Sequence, residues 1–529
     1  MSKDMKRLFS LLFIIPALYS CSIAQNTQQK YADLITAESS RKHLTTLSSV
    51  EFEGRGTGQE GGRKAAEYIA NEFKSYELAA PVNGSFYQPV ALQQIAYQVE
   101  NFSIDGETWI NGKDFYVQAD HDIQDFSANE IIFVGYGIQH ANYNELSGID
   151  VKGKIVLLIN ESEPTDETGK SLITKENNKS EWSSSRFKRI QELTKLQPAA
   201  IFSTSSQVAE MLAEMKGRLT GGRVMLDDGS NTNRNITQAV PVINISVATA
   251  DKLLAKANTS VKKFKEEANR SFNPSAVRIN TSFLATMGVK VEKLSDPNVL
   301  GLLEGSDLKD EIIVISGHYD HDGILPDGTI FPGADDNGSG TVGVLELARA
   351  FSQAKKEGNG PRRSILFIGL AAEEKGLLGS KYYTENPILP LANTVACLNL
   401  DMIGRIDDKH LAGNHNYIHA IGTDKLSSEL KQITEASNKE YTQMEIDFTY
   451  DDPKDPMRLY YRSDHYNFAQ KGIPSAFFFS GLHPDYHTPN DTVDKIDFPM
   501  MVKREKLVFH ITWEIANRSQ RLAVDSNKE

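Results

Sequence analysis

Short apolar runs alternate with segments of helical periodicity over the second half of the chain. Unbroken runs of Ile, Val, Leu and Phe are typical of buried strands, and apolar residues at helical spacing indicate helices packed on a sheet. The runs predict strands at 312–316, 364–370, 395–401 and 475–479, and the intervening segments predict helices at 340–351, after Gly376, at 425–436 and at 500–516. This alternation predicts an α/β fold, a three-layer αβα sandwich with a mostly parallel central sheet.

The middle of the chain has a different pattern of apolar and polar residues. Residues 115–284 contain apolar runs joined by long polar connections, with no group of histidines, cysteines or paired acids. The predicted strands are 131–134, 154–159, 199–202 and 240–245, and the predicted helices are 186–196 and 249–257. The pattern predicts a smaller, β-rich domain inserted into a main domain that is formed by residues 25–114 and 285–529.

A glycine-rich stretch interrupts the helical pattern of residues 31–78. Residues 53–58 read Glu-Gly-Arg-Gly-Thr-Gly and precede an amphipathic segment at 63–73. A glycine-rich loop before a helix can bind an anion, although close backbone packing is its commoner use. Both interpretations stay open from the sequence.

The first residues predict export. Three basic residues within the first seven precede an apolar run at 8–18, which is too short for a stable membrane span but fits a signal peptide over residues 1–24. Two cleavage sites compete, a lipobox-like Leu-Tyr-Ser-Cys ending at Cys21 and a small-residue site ending at Ala24. We expect a cell-envelope lipoprotein or a periplasmic or extracellular protein, with a lipid at Cys21 as its only membrane attachment.

Composition narrows the choice of partners. The 529 residues suffice for two to four domains. The formal net charge of −13 argues against nucleic acid, which selects basic faces. Of the two cysteines, Cys397 lies in an apolar run and Cys21 in the export segment, so a disulfide framework is excluded and Cys397 is expected in the core.

Histidine and acidic residues follow the predicted strands at the point where each strand ends. In chain order they are His318 and Asp320, Asp335 and Asp336, Glu373 and Glu374, Asp401, and His487 on a late loop. Ligands and catalytic groups collect at the carboxyl ends of parallel strands. Imidazole and carboxylate without thiolate suit zinc, and several carboxylates together suit two ions that share a bridge. The sequence therefore predicts a two-metal hydrolase.

Two alternatives bear on individual residues of this set. Taken alone, His318 and Asp320 are more commonly an exposed pair on the protein surface than a metal site. His321 and Asp322, in the adjoining loop, offer the same kinds of ligand atom. Residues 338–343 satisfy G-x-G-x-x-G, but that fingerprint requires a strand directly before the glycines, and polar residues intervene here.

The adjacent acids Glu373 and Glu374 are expected to have different roles. Two neighbouring carboxylates at a buried strand end repel each other and are desolvated unless a cation compensates one of them. We expect one of the pair to bind metal and the other to accept a proton from water.

Taken together, these motifs resemble the di-zinc exopeptidases of metallopeptidase clan MH, a family that includes bacterial zinc aminopeptidases, glutamate carboxypeptidase II and the transferrin receptor ectodomain. Its five ligand motifs match in order. By this resemblance one zinc ion is bound by His318 and Asp401 and a second by Glu374 and His487. Asp336 then bridges the two ions.

The same resemblance implies roles for further residues. Glu373 is the general base that deprotonates the water shared by the ions, Asp320 orients His318, and Tyr486 hydrogen-bonds the tetrahedral oxyanion. The peptide bond between Asp336 and Asn337 is expected to be cis. The inserted block resembles the protease-associated domain that several relatives carry.

The resemblance implies an exported zinc aminopeptidase that acts on peptides with a free N-terminus. Carboxypeptidases and dipeptidases of the family share much of this site, and Arg458 and Arg462 are candidates for binding a terminal carboxylate. Non-catalytic binding proteins on this fold lose metal ligands, whereas all five ligand positions and Glu373 are present here. Side-chain preference, oligomeric state and the role of the insertion are not predicted.

Overall fold

The structure is a computed structural model that describes residues 27–118, 123–215, 219–220, 222–227, 240–270 and 276–527. The predicted signal peptide, with both cleavage sites and Cys21, lies outside the described residues. Within them, no helix combines the length and the apolar character needed to cross a membrane.

The chain forms two compact units. The first comprises Met1–Leu92 and Leu294–Glu529, and the second is Gln93–Lys293. The second unit overlaps the insertion predicted at 115–284 but extends beyond it at both ends. The reason is that two long strands, Tyr87–Ile104 and Val277–Leu303, contain the boundaries, so neither boundary falls in a polar loop.

The central sheet of the first unit is mostly parallel, as the sequence predicts. Its neighbouring strands are, in order, Glu445–Asp447, Tyr417–Ile421, Ser475–Phe479, Thr394–Leu400, Leu308–His318, Arg363–Leu370 and the end of Val277–Leu303. Antiparallel pairing occurs where Tyr417–Ile421 meets Ser475–Phe479 and where residues 299–303 meet Arg363–Leu370. The four strands predicted for this half are confirmed, and Tyr417–Ile421 was not predicted. Two further short strands, Gly323–Ile324 and Ile330–Phe331, pair with each other.

Helices cover both faces of this sheet. They are Ala37–Leu47, Glu60–Ser75, Gly340–Lys356, Leu378–Glu385, Ser428–Ser437, His465–Ala469 and Phe498–Asn517. Val314 packs on one face against Tyr383 and Phe468, which lie on two of the short helices. Successive strand residues point to opposite faces, so Ile313 and Ile315 point to the face that helix Gly340–Lys356 covers. The predicted αβα sandwich is confirmed, and Cys397 lies buried in its core.

The second unit also combines strands and helices. Its neighbouring strands are the start of Val277–Leu303, Gln124–Phe133, Ile155–Ile159, Ala200–Ser205, Val242–Ser246 and Phe115–Gln118. The middle four run parallel to one another. Short strands lie at Glu107–Thr108, Gln139–His140, Tyr143–Asn144 and Arg223–Leu226. The helices are Glu181–Ser184, Arg186–Lys195, Val208–Met215, Val247–Leu254 and Val261–Arg270.

Gly340 lies where a helix of the first unit approaches the backbone of the sheet. A Cβ atom at this position would lie 2.2 Å from the carbonyl oxygen of Leu400 and 2.3 Å from Oδ1 of Asn337. Real Cβ atoms do not approach backbone so closely, so only glycine allows this packing.

We expect Gly340→Ala to destabilise the protein by about 1–3 kcal/mol, because the helix must move away from the sheet. Urea denaturation followed by circular dichroism measures the change. Gly413→Ala is the control, since the nearest heavy atom, the carbonyl oxygen of His410, would lie 3.9 Å from its Cβ. Equal stability of the two variants would contradict the close packing described here.

Candidate metal centre

The candidate centre lies at the carboxyl ends of three neighbouring strands. Leu308–His318 runs parallel to both Arg363–Leu370 and Thr394–Leu400. Because parallel strands end at the same edge of a sheet, the acids that follow them converge on His318. These acids are Glu373, Glu374 and Asp401.

His318 faces a first group of carboxylates. Its Nε2 lies 3.4 Å from Oδ1 of Asp401 and 3.6 Å from Oδ1 of Asp336. Oε2 of Glu373 is 3.8 Å from the same nitrogen. The hydroxyl of Ser463 donates to Oδ2 of Asp401 at 2.6 Å, which leaves Oδ1 directed at the imidazole.

His487 faces a second group. Its Nε2 lies 3.0 Å from Oδ2 of Asp336 and 3.2 Å from Oε2 of Glu374. His321, the alternative left open from the sequence, belongs to this group as well, because its Nδ1 lies 2.8 Å from Oε1 of Glu374. The sequence offered His321 as a competitor of His318. In the structure His318 faces Asp401 and His321 faces Glu374, and each ring lies 3.6 Å from a different oxygen of Asp336.

Asp336 lies between the two groups, with one carboxylate oxygen facing each imidazole. The peptide bond between Asp336 and Asn337 is cis, which confirms the expectation. The carboxylate of the buried Asp491 accepts hydrogen bonds from the backbone N–H groups of Asp335 and Asp336, at 3.0 to 3.1 Å. The side chain of Asn337 donates to the carbonyl of Leu400 at 3.0 Å. These contacts hold the Asp336 loop against the strand end.

The spacing of the side chains fits zinc. Two ligands of a tetrahedral zinc ion lie about 3.3 Å apart, since Zn–N and Zn–O bonds are about 2.0–2.2 Å long. The contacts of His318 and His487 with Asp336, Asp401 and Glu374 range from 3.0 to 3.6 Å. The contact between His321 and Glu374 is shorter and has the length of a hydrogen bond. His321 therefore positions Glu374.

A third cluster of similar composition does not have this spacing. Asp407 lies 2.6 Å from Nδ1 of His410 and 2.8 Å from Nε2 of His419. Both distances are shorter than the contacts of His318 and His487 with their carboxylates, and Asp407 is hydrogen-bonded to both rings.

The centre concentrates buried negative charge. The carboxyl groups are Asp320, Asp336, Glu373, Glu374, Asp401 and Asp464, and each is buried or nearly so. Burial raises the pKa of Asp464 to about 7 and, together with the charge of Glu374, that of Asp336 to about 6. Imidazole rings contact several of these carboxylates, and the buried guanidinium of Arg55 lies near Asp320, Asp336 and Glu374. A divalent cation bound here would displace these protons and relieve the repulsion.

The two adjacent glutamates differ in proton affinity. Burial, together with the charge of Glu374 and Asp401, raises the pKa of Glu373 well above its usual range. Burial acts on Glu374 in the same direction, but hydrogen bonds from His321 and His487 outweigh it and hold the pKa of Glu374 well below its usual range. Glu374 thus has the lower proton affinity of the two, and Glu373 has the higher one.

Asp320 contacts its neighbours differently from the role implied by the resemblance. Nδ1 of His318 lies 3.1 Å from the backbone carbonyl of Asp320 but 3.8 Å from its carboxylate. The carboxylate accepts hydrogen bonds from the backbone N–H of Glu373, at 3.0 Å, and from the hydroxyl of Thr57, at 2.9 Å. Asp320 therefore orients His318 through its main chain and fixes Glu373 through its side chain.

A small cavity of about 40 Å³ opens beside the centre. Its lining combines the polar residues His318, Asp336, Glu373, Asp401 and His487 with the apolar residues Met402, Leu459, Phe477, Phe479 and Leu482. Tyr486 and Arg462 complete the lining, and the guanidinium of Arg462 donates to the Tyr486 hydroxyl at 3.3 Å. The ring of Tyr486 packs on that of His487 with centroids 3.9 Å apart. A polar reacting centre thus adjoins an apolar wall.

Residues 298–512 match the model of Peptidase family M28. Over these residues the chain is similar to that family. The match covers every metal-centre residue named from the sequence, from His318 to His487.

Similar proteins agree with this assignment. A probable leucine aminopeptidase from Arthroderma otae is 32% identical over 238 residues, which are 43% of this chain and 61% of that protein. Aminopeptidase YwaD from Bacillus subtilis is 27% identical over 242 residues, 42% of this chain and 46% of that protein. The chain thus spans less than two thirds of the length of these relatives.

Solved structures show the same fold over nearly the whole chain. An aminopeptidase from Aneurinibacillus sp. strain AM-1 superposes with a TM-score of 0.57 at 22% identity, covering 94% of this chain and 98% of that one. The zinc aminopeptidase BSAP from Bacillus subtilis gives 0.54 at 20% identity, covering 93% and 98%.

Arg55, from the glycine-rich stretch outside residues 298–512, binds four carbonyl groups around the centre. Its guanidinium is fully buried and donates to the carbonyls of Tyr319, Leu47, Pro332 and Gly333, at 2.7 to 2.9 Å. Burial lowers the pKa of Arg55 to about 10, with the nearby acids opposing that shift. Tyr319 precedes Asp320, and Gly333 begins the Asp336 loop. The stretch therefore acts through close packing and Arg55, a role that glycine spacing alone did not reveal.

We expect Arg55→Lys to destabilise the protein by at least about 2 kcal/mol, because one ammonium group cannot reach four carbonyls and each buried acceptor left unpaired costs about 1–3 kcal/mol. The zinc affinity of the variant, measured by competition with a chelator, should fall as well. The loops that carry Tyr319 and Gly333 lose the hydrogen bonds of Arg55. Arg63→Lys is the control, since Arg63 is half exposed and pairs only with Glu60 and a nearby carbonyl. A stable Arg55→Lys protein with unchanged zinc affinity would refute this role.

Proposed function

We propose that the protein is a two-zinc aminopeptidase that hydrolyses the first peptide bond of peptides. The observation that carries the proposal is the position of Asp336, whose two carboxylate oxygens face His318 and His487 separately. The names of the relatives, leucine aminopeptidase and zinc aminopeptidase, support the same activity.

In this proposal His318 and Asp401 hold one zinc ion, Glu374 and His487 hold the other, and Asp336 is shared. Zinc supplies Lewis acidity and lowers the pKa of bound water to about 7. Glu373 accepts the proton of the attacking water and returns it to the leaving nitrogen as the C–N bond breaks. Its high proton affinity and its contact with Asp320, which fixes its backbone, suit a group that must hold a proton between two steps.

Tyr486 and the apolar wall position the substrate. The hydroxyl of Tyr486 lines the same cavity as Glu373, and Arg462 donates to it, so its own hydrogen is free to be donated to the oxygen that becomes negative. Phe477, Phe479, Leu459 and Leu482 offer an apolar surface to the side chain of the first residue. Burial raises the pKa of Tyr486 far above its usual range, so it stays a donor at neutral pH.

We expect Glu373→Gln to keep its zinc and to lose about 10²–10⁴-fold in turnover, because the variant removes the base and leaves the ligand set unchanged. His318→Ala and Asp401→Ala should instead lose zinc. Zinc content, measured by atomic emission beside turnover, separates the two classes, with two ions per chain expected in the unaltered protein. A fully active Glu373→Gln enzyme would rule out Glu373 as the base.

A carboxypeptidase or dipeptidase is the second candidate, because Arg462 lies in the cavity where it could bind a terminal carboxylate. Arg458, the other candidate, has its guanidinium over the ring of Tyr461.

Three versions of one tripeptide show from which end the enzyme cleaves: Leu-Gly-Gly, its N-acetyl derivative and its C-terminal amide. An aminopeptidase should cleave the amide about as fast as the free peptide and leave the acetyl derivative intact. If the enzyme cleaves the acetyl derivative and leaves the C-terminal amide intact, it is a carboxypeptidase. Arg462→Ala should then raise KM for peptides with a free C-terminus only.

We also propose that the protein is exported and that its second unit is a domain of the protease-associated type. The charged and apolar pattern of residues 1–18 supports export, and the parallel strands between the boundaries Gln93 and Lys293 are compatible with such a domain. Lipidation of Cys21 would tether the enzyme to a membrane.

Cys21→Ser tests this location. The altered protein should move from the membrane fraction to the soluble fraction, because the acyl chains that contribute about 0.8 kcal/mol per buried CH₂ are lost. If the unaltered protein is already soluble and begins at Gln25, cleavage follows Ala24 and the lipid anchor is refuted.

A further inference from the structure

The second unit contains a cavity far larger than the one beside the metal centre. Its volume is about 550 Å³, within the range of about 300–1,000 Å³ typical of small-molecule sites. It lies where Ile155–Ile159 and Ala200–Ser205 end, and Asn244 of Val242–Ser246 adds to its lining. These three strands are parallel neighbours, and the carboxyl ends of such strands are where open α/β sheets bind ligands.

Two side-chain amides of the lining each have a buried polar atom without a hydrogen-bond partner among the described residues. Asn244 is 8% exposed, and its Nδ2 has no hydrogen-bond partner among the described residues. Oδ1 of Asn160 is likewise buried and without a partner in the described part of the chain. Buried polar atoms are rarely left unpaired because each costs free energy. One unpaired donor and one unpaired acceptor in a single cavity point to a ligand that supplies both.

The other polar groups of the lining are mostly neutral. Serine hydroxyls dominate, at positions 162, 183–185, 203, 205 and 206. Among the described lining residues the one charged side chain is Glu161, which is already paired with the ammonium of Lys265 and the hydroxyl of Ser206, both at 2.6 Å. The described lining thus offers mostly neutral hydrogen-bonding groups, which suit a neutral polar ligand.

The shape of the site favours a compact ligand over an extended peptide. Peptides commonly bind sheets by pairing with an edge strand, but Ile155–Ile159 and Ala200–Ser205 are paired on both sides. Tyr116 and Phe187 add aromatic surface to the lining, on which the apolar face of a sugar ring can pack. We propose that this cavity binds a small neutral polyhydroxylated ligand, a mono- or disaccharide, whose hydroxyl groups both donate to Asn160 and accept from Asn244.

The full-length protein tests this with glucose, galactose, N-acetylglucosamine, maltose and cellobiose as probes, by saturation-transfer NMR and calorimetry. At least one probe should bind, and Asn244→Ala should weaken its binding about tenfold, as expected for one lost hydrogen bond. Asn160→Ala should act in the same direction. The control Asn280→Ala changes an exposed asparagine of the same unit and should leave binding unchanged.

Stability and peptidase turnover distinguish a binding role from a structural one. Because Nδ2 of Asn244 has no partner in the described chain, Asn244→Ala should keep the melting temperature and the turnover of the unaltered protein. Absence of binding by every probe, or equal binding by Asn244→Ala, would overturn the proposal. Preferential binding of the tripeptide Ala-Ala-Ala, with the same dependence on Asn244, would overturn the saccharide assignment.

Discussion

The structure around the candidate metal centre depends on the burial of several carboxyl groups in one small volume. Desolvated acids that lie within a few ångströms of one another repel, and three imidazoles compensate them only in part. Divalent cations bound among these oxygens would offset that cost. Asp336 has the position expected of a shared ligand, because its two carboxylate oxygens face His318 and His487 separately. We therefore interpret the cluster as a metal centre, in line with the proposed function.

Holding such a centre together requires support from outside the ligand set. Asp491 fixes the loop that carries Asp336 through two backbone N–H groups, and Arg55 binds carbonyls on both loops that flank His318. His321 and Ser463 each hydrogen-bond one ligand carboxylate and thereby direct its other oxygen. The chemistry is carried by few residues, but their positions depend on segments far apart in the chain.

The sequence predicted the parts of this arrangement that follow from local patterns. Unbroken apolar runs located the parallel strands, and the acids after them marked the edge at which they meet. The long strand Val277–Leu303 was missed, although apolar residues alternate along its first half, because the apolar runs around it gave the stronger signal. Arg55 and Asp491 were not recognised, since a guanidinium or carboxylate that binds backbone groups leaves no spacing pattern in the sequence. The partner of His321 likewise depended on tertiary contacts.

The most direct test of the central claim is diffraction from crystals of the zinc-loaded protein, recorded on both sides of the zinc absorption edge. Two anomalous peaks about 3.5–4 Å apart are expected, one beside His318 and Asp401 and one beside Glu374 and His487, with Asp336 between them. A single peak, or zinc bound at Asp407 and its two histidines with none at Asp336, would contradict it.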